Sequence, residues 1–277
     1  MENAVIARLS GGGQSNLSSF NGIGAGTEPF RAAGKRTIKR GFTLAEVLIT
    51  LGIIGVVAAM TLPTITQKTQ DKQTVSKLKK VYSVLSQAYL MAVNENGTPD
   101  TWGAGGMYEP ESHKIMAQNF AKYMKVMRNC INMSNSDVAI NCSEMFSNTD
   151  YYAAVRLNDG STVIFRIWNG ECTANYGSSM PLQNVCGRFA VDLNGNDKPN
   201  EYGKDIFTFY VTKQGVFPMG SESDTVVTFK KYCDRNKTSD DTNYAHGMGC
   251  SAWVLMNENL DYWYCDDLDW NGKKTCK

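Results

Sequence analysis

The most apolar part of the chain runs from Phe42 to Ile65 and is broken by one charged side chain, that of Glu46. As a helix, these residues would be about 36 Å long, because each residue adds 1.5 Å. That length is enough to cross a bilayer with some tilt. Pro63 has no amide hydrogen and crowds the preceding turn, so a kink is expected there. The pattern predicts a membrane-spanning helix over residues 42–65.

From residue 66 to residue 97 the apolar positions recur every three or four residues, which is typical of an amphipathic helix. The predicted buried face consists of Val75, Leu78, Tyr82, Leu85, Tyr89 and Ala92. Gly97 is a good helix terminator. We therefore expect one long helix that is apolar all round in its first part and amphipathic in its second part.

Beyond residue 98 the pattern predicts a globular domain that extends to residue 277. A shorter helix is expected over residues 111–127. The runs "YYAAVRL" and "STVIFRIW" alternate in polarity on either side of Asn158-Asp159-Gly160, which is typical of a β-hairpin. "RFAVDL", "IFTFYV" and "VFPM" are further predicted strands, whereas residues 220–277 are polar and predict a loop-rich region.

Eight cysteines lie in the part of the chain beyond the predicted span, and this number and placement indicate disulfides in an oxidising compartment. They are Cys130, Cys142, Cys172, Cys186, Cys233, Cys250, Cys265 and Cys276. Zinc is the weaker alternative, because no C-x-x-C pair occurs. The connectivity stays open, although pairing in sequence order would close only local loops.

The charges of this 277-residue chain are unevenly placed, although its formal net charge is only +1. Before Phe42 there are six basic and two acidic residues, so this part carries +4 and the rest carries −3. The overall balance argues against a general nucleic-acid-binding surface. Five basic residues flank each side of the span, so charge does not orient it. The cysteines favour an orientation with the C-terminal domain outside.

Residues 1–34 are rich in Gly, Ser, Ala and Asn and predict disorder.

A carboxylate inside an apolar span costs about 2.5–3.5 kcal/mol on insertion scales, so Glu46 is expected to have a partner. No basic residue lies within the run. Cleavage after Gly41 would create a charged amine on Phe42. That amine could pair with Glu46 of the same helix or of a neighbouring helix.

The segment "KRGFTLAEVLITLGIIGVVAAMTLP" resembles the N-terminal processing and assembly segment of type IV prepilins and type II secretion pseudopilins. The resemblance implies that a membrane-embedded prepilin peptidase and methyltransferase cuts after Gly41 and methylates Phe42. It also implies that Glu46 guides assembly with other pilin-like subunits and that Pro63 kinks the helix. The implied fold is α+β, a long N-terminal helix packed on an antiparallel sheet, followed here by a disulfide-rich region. The 41-residue leader is long for this family.

One polar loop, "DLNGNDKPNEYGKD", has the alternating oxygen side chains of a calcium site. The candidate ligands are Asp192, Asn194, Asn196, Asn200 and Asp205. The EF-hand pattern fails, because Asp197 stands where it needs glycine and Gly203 where it needs glutamate. Some members of the resembled family do bind calcium beside the sheet. The favoured interpretation is nevertheless a loop closed by its own hydrogen bonds, with no cofactor.

Catalytic motifs are lacking in the sequence: there is no G-x-S-x-G, H-E-x-x-H or phosphate-binding loop. His113 and His246 are predicted to be surface residues, and an enzyme is not expected. The aromatic rings of "WVLMNENLDYWYCDDLDW" are suited to stacking on sugars or a partner protein, or to core packing.

Two functional hypotheses follow. The first is a prepilin-like structural subunit that starts in the inner membrane and is then assembled into a periplasmic or cell-surface filament, as a minor or specialised subunit. The second is an uncleaved single-span anchor that displays a sugar-, calcium- or protein-binding domain. The sequence does not separate a type IV pilus, a secretion pseudopilus and a DNA-uptake fibre.

Overall fold

A computed structural model describes residues 41–233 and 244–276. The predicted disorder of residues 1–34 and most of the predicted leader lie outside these residues. The predicted long helix is confirmed as α1, Leu44–Asn96, with Pro63 inside it. Gly97 follows the helix at φ +78°, a conformation that favours glycine. The chain divides between Ile53 and Ile54 into two compact units, and everything described below from Ile54 onward belongs to the second.

The second unit contains an antiparallel sheet whose six described strands lie in sequence order, so each strand pairs with the next. The strands are β1 (Val126–Asn129), β2 (Ala153–Leu157), β3 (Thr162–Ile167), β4 (Val185–Asp192), β5 (Ile206–Thr212) and β6 (Val216–Pro218). The predicted hairpin is confirmed as β2–β3, with Gly160 in its turn at φ +85°. The other predicted strands, "RFAVDL", "IFTFYV" and "VFPM", correspond to β4, β5 and β6. The α+β fold is therefore confirmed.

One face of the sheet forms the main core together with the second part of α1. Leu78 and Leu85 of the helix and Phe165, Phe189 and Phe209 of the sheet are fully buried in it. The second helix, α2 (Pro110–Ala121), adds Phe120, whose ring meets that of Phe189 edge-on at 4.6 Å between centroids. This arrangement follows from the period of two along the strands and the period of 3.6 along the helix.

The opposite face of the sheet is covered by two smaller apolar clusters. Ile164 and Ala190 belong to one cluster, together with Val138 of the short helix α3 (Asn135–Asn141). Tyr210 belongs to the other, with Met248. Both faces of the sheet are thus covered, which accounts for the nearly continuous burial of β4 and β5.

The helix predicted over residues 111–127 is too long. It ends at Ala121, and the amides of Tyr123 and Met124 bond to carbonyls only three residues back. Val126–Asn129 then forms the edge strand β1, which the prediction missed. Pairing with β2 gives these residues ladder hydrogen bonds that a helix end lacks.

In the described part of the C-terminal region there are two further short helices, α4 (Phe229–Tyr232) and α5 (Ser251–Asn257). Short 3-10 helices span Pro99–Thr101, Met180–Gln183, Met248–Cys250 and Asp261–Trp263. Trp253 is fully buried and stacks on Phe229 at 4.2 Å between ring centroids. For this ring, core packing is the correct one of the two interpretations.

All eight cysteines form disulfides, and the pairing follows sequence order. The pairs are Cys130–Cys142, Cys172–Cys186, Cys233–Cys250 and Cys265–Cys276. The prediction of disulfides is confirmed. Each bridge closes a loop of between 11 and 17 residues.

Candidate processing and assembly segment

The first turn of α1 is stabilised by a reciprocal pair of side chains, Thr43 and Glu46. The Glu46 carboxylate accepts hydrogen bonds from the Thr43 amide and hydroxyl, both at 2.8 Å. The Thr43 hydroxyl in turn accepts from the Glu46 amide at 3.2 Å. This is a capping box, which satisfies amides that have no partner within the helix. The prediction overlooked Thr43, although the spacing T-x-x-E before an apolar run would have revealed it.

The side chains that follow the cap form an apolar surface that nothing described covers. Phe42 is 89% exposed, and large apolar residues stay exposed along the first part of α1. They include Leu48, Ile49, Leu51, Ile53, Ile54, Val56, Val57, Met60, Leu62 and Ile65. Among the described residues, α1 is the one helix long and apolar enough to span a membrane. An uncovered apolar surface of this extent indicates a membrane or other helices as its surroundings.

Threonines in this apolar stretch direct their hydroxyls to the helix's own backbone. Thr50 donates to the carbonyl of Glu46 at 2.9 Å and Thr61 to that of Val57 at 2.9 Å. Just after the stretch, Thr66 does the same to the carbonyl of Leu62 at 2.6 Å. Such internal bonds suit hydroxyl groups in an apolar medium, where an unpaired donor costs several kcal/mol.

Gly41 and Phe42 precede the cap, and Pro63 lies well inside α1. A Cβ added to Gly41 would meet no atom of the described residues within 4 Å. α1 continues on both sides of Pro63 as one element, and the kink predicted there stays a prediction. The processing and assembly roles of Gly41, Phe42 and Glu46 are likewise predictions at this point.

The candidate calcium loop joins β4 to β5, and its side chains bond mainly to the protein. Asp192 accepts from the amides of Asn194 and Gly195 at 3.2 and 2.8 Å. Asp205 accepts from the amides of Asn200 and Glu201 at 2.8 and 2.7 Å. These are the self-closing bonds of the favoured interpretation.

Two asparagines of the loop differ in how fully they are bonded. Asn196 donates to the Ala139 carbonyl at 2.8 Å and accepts from the Glu144 amide at 2.9 Å, so it is directed towards α3. The Oδ1 of Asn194 is buried and has no partner. The described residues contain no group of three or more His, Cys, Asp or Glu arranged for a metal. Calcium binding by this loop stays a prediction.

Burial raises the pKa of Asp192 to about 7, and the neighbouring charge of Asp205 adds to this effect. Both carboxyl groups are buried, at 1% and 6% exposure. The charge of Asp205 therefore disfavours the ionised form of Asp192, although Asp192 accepts from two backbone amides.

His113 is buried, so its predicted surface position is wrong. It lies on α2, and its Nδ1 accepts a hydrogen bond from the amide of Ile167 at 3.0 Å. Burial is the main cause that lowers its pKa to about 4, and the charge of Arg166 contributes. A neutral imidazole that accepts a backbone amide has a structural role here, since it joins α2 to β3.

Residues 36–62 match the sequence model of the prokaryotic N-terminal methylation motif. The match includes Gly41, Phe42 and Glu46, on which the resemblance was based, and ends just before Pro63. The N-terminal segment is therefore of the prepilin and pseudopilin type, as predicted.

Most of the chain beyond this segment matches a second family model. Residues 64–265 match a family of unknown function (DUF6613), and because the match covers most of the chain, the protein belongs to this family. No curated protein and no solved structure is significantly similar to the chain.

Proposed function

We propose that the protein is a structural subunit of a type IV pilus or a type II secretion pseudopilus, made as a precursor and matured by prepilin peptidase. The observation that carries the proposal is the N-terminal methylation motif, located on an apolar helix surface that no described residue covers. An apolar surface of this kind is stable only in a membrane or against similar helices.

Maturation in this proposal consists of cleavage after Gly41 and methylation of the amine of Phe42. Thr43 and Glu46 both follow the cut, so the capping box would survive it. The new amine would lie four residues before Glu46, close enough for the carboxylate to pair with it within a helix or across two packed helices. Glu46 would then set the register between subunits.

The proposed location is the inner membrane, with the disulfide-bonded domain outside and the basic head in the cytoplasm. From there the subunit would enter a filament through its N-terminal helix. Four disulfides in the outer domain fit an oxidising compartment. The large, cysteine-rich domain favours a minor or specialised subunit.

The proposal is tested by replacing the cleavage glycine, Gly41→Ala, in cells that contain prepilin peptidase. Wild-type protein extracted from membranes should begin at a methylated Phe42, and the variant should keep its leader. A Cβ at Gly41 meets no described residue of the chain, so a block would be assigned to recognition by the peptidase. N-terminal sequencing and intact mass give the result.

Gly34→Ala, another glycine of the leader, is the matched control and should mature normally. A Gly41→Ala protein that still begins at Phe42 would contradict the proposed cut. Wild-type protein that retains residues 1–41 would favour the rival function, an uncleaved anchor that displays a binding domain.

A further inference from the structure

Two arginines face each other across the sheet on the side away from α1. Arg166 of β3 and Arg188 of β4 are paired in register, so their side chains emerge on the same face. Two residues before Arg166, Ile164 belongs to one apolar cluster of this face, and two residues after it, Trp168 packs against the other. Like charges directly opposite each other are destabilising in a sheet.

Neither guanidinium has a counter-ion among the described residues. No aspartate or glutamate within residues 41–233 and 244–276 forms an ion pair with Arg166 or Arg188. Arg188 is only 6% exposed; it donates to the sulfur of Met248 at 3.5 Å, and its side chain also forms a hydrogen bond with that of Tyr202. A thioether is a weak acceptor and a phenol is neutral, so this buried cation lacks a charged partner among the described residues.

Arg166 likewise has neutral partners. Its Nη atoms donate to the Tyr152 hydroxyl and the Met107 sulfur, both at 3.4 Å, and its guanidinium lies over the rings of Tyr151 and Tyr152, at 5.8 and 5.4 Å from their centroids. Its Nε is buried and has no partner. Together the two arginines present several N–H donors in the fork geometry that matches a carboxylate or phosphate.

The two arginines line a cavity of about 430 Å³ that has aromatic walls. Tyr108, Trp168, Tyr176 and Tyr244 contribute the rings. Trp168 and Tyr176 are already stacked, at 5.1 Å between centroids and 20° between planes, and the Tyr244 hydroxyl donates to that of Tyr176 at 3.3 Å. The volume is within the range of small-ligand sites.

We propose that this cavity is a binding site for a small sugar acid. Its carboxylate would lie between Arg166 and Arg188, and its ring would pack on the aromatic wall. Aromatic side chains give a large apolar contact with a polar rim, which suits a sugar ring that has apolar faces and peripheral hydroxyls. The proposal does not depend on cleavage or assembly of the N-terminal segment.

The test measures binding of D-glucuronate to the full-length protein in detergent micelles at low ionic strength, by isothermal titration calorimetry. D-glucose, the same ring without the carboxylate, and acetate, a carboxylate without the ring, are the comparison ligands. Saturable binding of glucuronate is expected, at least tenfold tighter than that of either comparison ligand. Added salt should weaken it, because the contact is ionic.

Arg166→Gln should weaken glucuronate binding about tenfold or more, since it removes a charged partner of the carboxylate. Arg128→Gln, at an exposed arginine of β1, is the matched control and should bind as the wild type does. Circular dichroism and thermal melting establish that both variants fold. The proposal is wrong if glucuronate does not bind, if glucose or acetate binds equally well, or if a folded Arg166→Gln protein keeps full affinity.

Discussion

The two parts of α1 have the same helical backbone but differ in whether their apolar side chains are exposed or buried. In the first part, up to Ile65, large apolar side chains are exposed, with Leu48 at 61%. In the second part, Val75, Leu78 and Leu85 are buried against the sheet. The difference lies in the surface pattern: the first part is apolar all round, and the second part has one apolar stripe.

The polar groups of the second part also reach the sheet. Hydroxyls in both parts bond to carbonyls one turn earlier in the helix: Thr50 and Thr61 in the first part, and Thr69, Ser76 and Ser86 in the second part. In the second part, the hydroxyls of Tyr82 and Tyr89 donate to carbonyls of Val216 and Lys213 in and near the β5–β6 turn. The intrahelical bonds of Thr50 and Thr61 suit a segment without water, in which hydroxyl groups need partners inside the helix. The second part is a component of one particular core.

The largest effect is expected at the acid of the first part, which has two possible functions. Glu46 caps the helix, and in the proposed filament it also pairs with the amine of Phe42. Glu46→Val removes both functions, and Glu46→Gln removes only the charge, because glutamine also serves in a capping box. If pairing matters, neither variant should enter filaments, although both should still insert in the membrane.

Immunoblots of sheared filaments and of membranes from the same cells measure assembly and insertion separately. Thr43→Val is the matched control, since it weakens the cap and keeps the charge; it should assemble. Normal assembly of the Glu46→Gln protein would assign the importance of Glu46 to capping and refute the ion pair.

A pair of leucine truncations compares the two parts of α1 directly. Leu85→Ala should destabilise the folded domain by about 2–5 kcal/mol, because Leu85 is fully buried and a cavity would remain. Leu48→Ala should change the free energy of unfolding by less than about 0.5 kcal/mol. All five tryptophans lie beyond residue 100, so their fluorescence during denaturation in detergent reports the domain. Equal effects of the two truncations on the free energy of unfolding would contradict the proposed difference between the two parts.

Much of this contrast was readable from the sequence because it lies in strong, local patterns. Apolar residues fill every side of the first part of α1, whereas in the second part they recur every three or four residues, as at Val75 and Leu85. This spacing predicts which side of the helix is buried. The β2–β3 hairpin was equally clear, since Asn158-Asp159-Gly160 stands between two alternating runs. Sequential pairing of the cysteines was the least demanding choice, and the structure has it.

What the sequence did not reveal depends on contacts between distant residues. Val126–Asn129 reads as the end of a helix, and only pairing with β2 makes it a strand. His113 is buried where α2 packs on β3, and its partner there is the amide of Ile167, 54 residues away in the sequence. The pairing of Arg166 with Arg188 depends on the register of β3 and β4, which polarity alternation does not specify between two inner strands.

Acid should destabilise the packing of α2, because His113 lies on this helix. The second part of α1 should be affected as well, because Phe120 of α2 belongs to the same core. The pKa of His113 in the folded protein is lowered to about 4 by burial, whereas an unfolded histidine has a pKa near 6.5. Between these values the unfolded chain binds more protons. The contribution of His113 to stability is therefore complete above about pH 6.5 and is lost as the pH falls towards 4.

Thermal melts across this range should show a shallower decline for His113→Gln than for the wild type. His246→Gln, at the chain's other histidine, is the matched control and should keep the wild-type decline. If His113→Gln and wild type lose stability in parallel, another group is responsible for the acid sensitivity.

A loss smaller than that from Leu85→Ala is expected on removal of one hydroxyl that joins the second part of α1 to the sheet. Tyr89 is buried, its hydroxyl donates to the Lys213 carbonyl at 2.5 Å, and burial raises its pKa to about 12. Tyr89→Phe keeps the ring and should cost about 1 kcal/mol, because the carbonyl loses its partner without a cavity being made. Denaturant unfolding measures this cost, with Tyr108→Phe, at a ring that is 76% exposed, as the control. A loss as large as that from Leu85→Ala would mean that this hydrogen bond, rather than the apolar stripe, holds the second part of α1 to the sheet.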